Sequence, residues 1–437
     1  MNRKSLLILS CLIAFSLIFP GLTYSADDEG GEESSSTLLE ILNKKGIVSN
    51  EELKVLNKSE GSWFDTIELS GGITSGMQGT SGNSDTVTGT SDGTNYSFSL
   101  DIGIDAELEP GHTVSVALES GEGEGIGAAL PDGALGPNYD PANSNMDGAQ
   151  VVTVAQAFYE GSFFDGKFVF DLGKMDLHSL YDENNFAGDE TAQFMNGIFC
   201  RLTGTLYPEL EWYYSPGMRF FFAPVDLLEV SYVLGNSKWE DFGSNLFQVV
   251  QLNLKPNLFG KEGNYRVYYI MDDTLRTQTV VDPGDPAATI DMLLPATKTA
   301  DGSRAVNTGF GVSIDQYIME GVGLSIRYGS QDKAIDQNGA VSAMTFGILV
   351  EGGIWGMDDD SFGFAYGSLT SNDKTNGSVM LDATGEPYTG QTAIEIFYHW
   401  QVKEKIGITP DIQMISNMPR ADAASITVFG LRGQFDF

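Results

Sequence analysis

From Asn95 to Leu108 the chain reads NYSFSLDIGIDAEL, and the pattern has a period of two. Tyr96, Phe98, Leu100, Ile102, Ile104, Ala106 and Leu108 fall on one face. Ser97, Ser99, Asp101, Gly103, Asp105 and Glu107 fall on the other. Alternation of this length exceeds the usual soluble strand of about 5–6 residues. It suits a strand that crosses a bilayer at a tilt, for which about 9–11 residues are needed. Similar segments recur at 63–78, 112–121, 150–163, 166–176, 217–223, 226–236, 245–256, 263–273, 305–318, 320–331, 340–352, 361–370, 391–403, 406–417 and 424–437. The pattern thus predicts an all-β fold, an antiparallel transmembrane barrel of about sixteen strands. Two weak points leave eighteen open: 217–223 is short, and 192–200 has room for an extra strand.

The joints between segments alternate in length. Short ones fall at EPG (109–111), FDG (164–166), APV (223–225) and MEG (319–321); long ones fall at 79–94, 122–149, 177–216, 274–304 and 371–390. Short turns on one rim and long loops on the other characterise outer-membrane barrels, and both chain ends then lie on the short-turn, periplasmic side. The last segment, ITVFGLRGQFDF, puts Phe429, Leu431, Phe435 and Phe437 towards lipid and Arg432, Gln434 and Asp436 towards the lumen. An aromatic at the last residue, Phe437, resembles the signal read by bacterial barrel-assembly machinery. A soluble β-sandwich would leave the strand lengths, the loop alternation and the N-terminus as three coincidences.

That N-terminus carries Arg3 and Lys4, then the apolar run LLILSCLIAFSLIF, then Pro20 and Gly21. This is the order of a secretory signal peptide, expected over residues 1–25, and the run is short for a spanning helix. Residues 26–60 form an acidic leader with a short helical segment. TLLEILNKKG has a capping box from Thr37 to Glu40 and a stop at Gly46. SNEELKVLNK repeats the logic from Ser49. Residues 61–437 are the barrel. Beyond the signal, one cysteine remains, Cys200, so no intramolecular disulfide is expected in an exported chain.

Composition then narrows function. A net charge of −36 disfavours nucleic-acid binding, which needs a basic face. Only three histidines are present, none in a local Ser/His motif, and there is no metal-ligand spacing and no phosphate loop. No catalytic residue, metal or cofactor is expected. The partners are small hydrophilic solutes, outer-membrane lipid, the assembly machinery and, where the barrel oligomerises, further copies of itself.

Three stretches resemble the carbohydrate-selective porins, the OprB-like family. They are GKMDLHSLYDENNFAGDETAQFMNGIF (Gly173–Phe199), YSPGMRFFF (Tyr214–Phe222) and EIFYHWQVKEKIGITPDIQMISN (Glu395–Asn417). Met418 departs from the Asn-Pro that follows the third stretch in the family. The resemblance implies a water-filled channel for passive uptake of sugars. Without a sugar site, the acidity would instead suit a general, cation-preferring diffusion pore; a plugged barrel would be a receptor.

In porins the narrow place is usually the third external loop, here 177–216. It carries Asp182, Glu183, Asp189, Glu190 and Arg201, which can exchange hydrogen bonds with sugar hydroxyls. By parity Arg219, Arg266, Arg327 and Arg432 point inward, where they would face the loop or pair with wall acids such as Asp101, Asp105, Glu395 and Asp411. A charge on the lipid face near the midplane costs about 2–4 kcal/mol, which favours the inward direction. Tyr96, Phe158, Tyr328, Tyr398 and Trp400 are expected at the lipid interface.

Overall fold

The computed structural model describes residues 66–83, 91–123, 125–126, 130, 152–200, 214–236, 239, 243–274, 277–282, 285–293, 306–331, 340–371, 390–417 and 425–437. The expected signal peptide and helical leader lie outside them, as does Arg201.

Sixteen long strands close on themselves. In chain order they are β1 (Ile67–Ser81), β2 (Thr94–Glu109), β3 (His112–Glu122), β4 (Thr153–Phe163), β5 (Phe168–Asp176), β6 (Tyr214–Val225), β7 (Leu228–Asn236) and β8 (Leu246–Leu254). Then follow β9 (Lys261–Asp272), β10 (Asn307–Met319), β11 (Val322–Gln331), β12 (Ala340–Glu351), β13 (Ser361–Ser371), β14 (Gly390–Lys403), β15 (Ile406–Ser416) and β16 (Ser425–Asp436). Each pairs antiparallel with its sequence neighbours, and β16 returns to β1 with Gly72 opposite Asp436 and Ser81 opposite Thr427. The seam extends to the last residue: Gly71 N–H donates to Phe437 O at 3.1 Å, and Phe437 N–H donates to Gly71 O at 2.9 Å. Closure matters because an open strand edge would leave unpaired backbone groups in hydrocarbon.

The strand ends explain the weak points. β6 runs from Tyr214, longer than its apolar pattern suggested, because it continues against β5 as far as Asp176 opposite Tyr214. The extra strand allowed near 192–200 does not form; Gly197–Cys200 is a single helical turn. The long connection between β9 and β10 carries its own two-stranded ribbon, Thr277–Asp282 with Asp285–Leu293.

Alternation sorts the side chains as expected on most strands. Val267, Leu431, Phe429 and Phe437 are exposed on the outside, while Arg266, Arg327 and Arg432 are buried inside. Phe158 is a correction. A register shift between Ala117 and Leu118, where β3 meets β4, interrupts simple parity. Phe158 therefore lies opposite Gly173, on the same face as Glu160 and Asp171, and packs inside against the buried cluster that contains Met175, Leu177 and Tyr181. Tyr96, Tyr328 and Trp400 are exposed on the lipid side.

The two faces give a direct test. Leu431→Arg, on the lipid face of β16, is expected to lower barrel stability in bilayers by about 2–4 kcal/mol in denaturant titration. The neighbouring Arg432, which points inward, shows that the strand itself accepts arginine.

Candidate functional site

The third loop leaves β5 and folds into the lumen, where no ladder is available for its backbone. Its sequence supplies the missing partners, because Asp and Asn side chains satisfy nearby N–H groups locally. The Asp176 carboxylate accepts His178 N–H at 2.9 Å and starts the turn Leu177–Leu180. The Asn184 side chain accepts Phe186 N–H at 3.1 Å. Asp189 accepts Thr191 N–H at 2.8 Å and Ala192 N–H at 3.1 Å. Gln193 Oε1 accepts Gly188 N–H at 2.9 Å, and Asn196 Oδ1 accepts Ile198 N–H at 3.1 Å. The run DENNFAGDETAQFMN is thus a chain of self-capped turns.

Charged wall residues clasp this loop. Arg327 on β11 donates to Asp182 O at 3.0 Å, to Ala187 O at 2.6 Å and to Phe199 O, and its Nε lies 3.3 Å from the Asp182 carboxylate. Arg432 on β16 donates to Glu190 O at 2.6 Å and to Gln193 O at 2.8 Å. Glu395 on β14 accepts Met195 N–H at 2.6 Å and Asn196 N–H at 2.9 Å. Asn196 also donates to Gln413 Oε1 on β15 at 3.0 Å. Towards β8 and β10, Gln251 accepts Asp182 N–H at 3.1 Å, and Ser313 donates to Glu183 O at 2.7 Å.

Apolar packing completes the clasp. Phe186, Phe194, Ile198 and Phe199 form one buried cluster with Ala343, Ala365, Ala393 and Phe397 of the wall. The inward positions beneath them are small. A Cβ at Gly367 would meet Phe199 at 3.0 Å and Ile198 at 3.1 Å, and one at Gly323 would collide with the Phe186 ring. These glycines make the dent in which the loop rests.

The candidate residues therefore have different surroundings. Asp182 is buried on Arg327, and Asp189 is exposed but occupied with its own turn. Glu190 offers its carbonyl to Arg432. Arg266 pairs with Asp315 at 2.5 Å, and its Nε lies 3.8 Å from Glu183. Arg219 pairs with Asp171 at 2.5 Å and lies 3.7 Å from Glu160. Arg327 and Arg432 lie beneath the loop holding its backbone, rather than across the lumen from it. Glu395 emerges as a loop-holding group; its signal in the sequence is one inward carboxylate between inward Ala393 and Phe397, which demands a partner.

On the other side of the loop, Glu183 is half exposed and borders a small recess. Leu180, Arg219, Phe221, Glu229, Ser231, Gln251 and Asn253 complete its lining. The recess combines charged and amide hydrogen-bonding groups with one aromatic face.

A closed sixteen-stranded barrel with its third loop clasped inside the lumen defines an outer-membrane porin. The family profile described as carbohydrate-selective porin, OprB family, matches residues 87–437, and the chain belongs to that family. It forms an outer-membrane channel for carbohydrates. Among solved structures, Pseudomonas putida OprB at high pH is similar with a TM-score of 0.66 and 14% identity, covering 89% of this chain and 96% of that one. The low-pH structure of the same protein gives 0.53 and 13%, covering 95% and 100%. A Rh. blastica porin variant gives 0.50 and 12%, covering 85% and 100%. No curated protein matches the sequence.

The clasp is testable without the solute. Arg327→Ala removes the donor for three loop carbonyls and leaves the Asp182 carboxylate buried, a loss of about 3–5 kcal/mol by analogy with broken buried pairs. Single-channel recordings of the folded variant are expected to show larger and noisier conductance than the parent.

Proposed function

We propose that neutral sugars pass along the free edge of the third loop and make their closest contacts at the recess bordered by Glu183. The recess is the observation that carries this reading. Arg219 can donate to sugar hydroxyls, Glu183 and Glu229 can accept from them, and Phe221 offers a ring to the sugar's C–H face; Asn253 holds Glu229 in place by donating to its carboxylate at 2.7 Å. Phe221 lies opposite Val169 and next to the exposed Phe220 and Phe222, so its parity is inward. Arg219 keeps its place through Asp171, so a passing sugar meets a guanidinium whose geometry is already set.

Charge supports a preference for neutral over anionic solutes. No lysine or arginine occurs between Lys58 and Lys167, a span that contains all of β1 to β4. Pairing places Glu68 beside Asp105 and Asp101 beside Glu119 on the inward face of that wall. The loop anchors described above lie on β8, β10, β11 and β14–β16, which leaves this acidic wall on the other side of the passage. A pore lined by one sign of charge concentrates the opposite sign and repels its own.

Planar-bilayer conductance in KCl tests both parts. Neutral mono- and disaccharides are expected to block the current saturably, and Arg219→Ala is expected to weaken that block by about 1–3 kcal/mol, the cost of a lost charged hydrogen bond. Open current without sugar block in the parent would make it a general diffusion pore. In a KCl gradient the reversal potential is expected to show cation preference, reduced by Asp101→Asn with Glu119→Gln; anion preference in the parent would contradict the charge argument.

A further inference from the structure

The short-turn rim carries large apolar side chains where turn chemistry calls for small polar ones. Between β8 and β9 the chain reverses at Phe259–Gly260, with Leu258 paired to Lys261. Phe259 has φ +57° and Gly260 φ +74°. Between β4 and β5, Phe164 has φ +55°, Asp165 +58° and Gly166 +80°. Two successive positive φ values favour Asn-Gly or Asp-Gly; a bulky side chain there is an outlier. Neither phenylalanine gains a core in return, because Phe164 is 78% exposed and Phe259 is 74% exposed.

The same bias extends to other turns on this rim. Leu227 follows β6, Met319 ends β10, and Ile354 lies between β12 and β13; all three are exposed. These hairpins cover the arc from β4 to β13. The other two reversals differ: Pro110–Gly111 joins β2 to β3, and the exposed Glu404–Lys405 joins β14 to β15. The apolar tips are also continuous with the lipid-facing belt, since Phe222 and Leu254 are exposed on the outside of the strands that lead into them.

We infer that the β4–β13 arc of the short-turn rim is a lipid-binding surface. Its turn tips enter the headgroup–acyl boundary of the periplasmic leaflet, and the barrel sits deeper on this side than at the β14–β15 turn. A phospholipid leaflet is the occupant because the apolar tips adjoin the lipid belt, while the exposed Asp165, Lys167, Asp226 and Glu320 of the same turns suit the polar headgroup level. Exposed rings in positive-φ turns are then favourable through transfer from water, which offsets the backbone cost.

The test is depth measurement in phosphatidylethanolamine–phosphatidylglycerol liposomes. Nitroxide labels are placed singly by Phe164→Cys, Phe259→Cys and Lys405→Cys in a full-length Cys11→Ser, Cys200→Ser background. Collision with oxygen is compared with collision with a water-soluble nickel chelate. The proposal expects labels at 164 and 259 to favour oxygen at least severalfold more than the label at 405, unchanged on lipid dilution. Equal, water-like ratios at all three sites would overturn it. Protection that disappears on lipid dilution would also overturn it, and would assign the patch to contact between copies of the chain.

Discussion

Every peptide group that enters hydrocarbon must find its partner within the protein, and this barrel depends on that constraint. It explains why alternation runs for so long on each strand, and why the last residue is structural. Phe437 exchanges two backbone hydrogen bonds with Gly71, so the seam between β16 and β1 is closed to the end of the chain. Its side chain meanwhile stays on the lipid face. The ring and the backbone of one residue thus serve the outside of the barrel and its closure.

The same accounting governs the lumen, where the third loop has no ladder to join. The loop answers it locally with Asn, Asp and Gln side chains, and globally with three buried charges from the wall. A buried guanidinium is costly unless its donors are used. Arg327 and Arg432 use their terminal nitrogens on loop carbonyls, and Glu395 uses its oxygens on loop N–H groups. Charge sign follows backbone chemistry: arginines take the carbonyls and the carboxylate takes the amides. Glycines and alanines on the wall let the loop's rings approach close enough for these bonds to form.

The strands were legible because a lipid–water boundary imposes a period of two on almost every residue. Where that boundary is not the controlling term, legibility fails. Phe158 reads as lipid-facing in the sequence because a register irregularity cannot be seen in a single strand's pattern. The apolar pattern understates the length of β6 because Tyr214 to Pro216 pair with β5 without an apolar alternation of their own. The loop could be placed by its order and by its family-like motif, but its path depends on contacts across the lumen. The inward direction of Arg327 followed from Ile326 and Tyr328 on either side; its bond to a carbonyl 140 residues away did not.

The clasp also bears on selectivity. Inward arginines read from sequence suggest a passage with positive charge available to solutes. In the structure Arg327 and Arg432 are nearly inaccessible, and Arg266 is buried on Asp315. Holding the loop therefore withdraws positive charge from the passage, while the carboxylates of β1–β4 lie on strands that contribute no compensating base. Arg219 differs because it borders the recess. On the proposed reading of the recess and the acidic wall, this balance favours solutes that offer hydroxyls rather than negative charge, so the groups that shape the channel also bias what it admits.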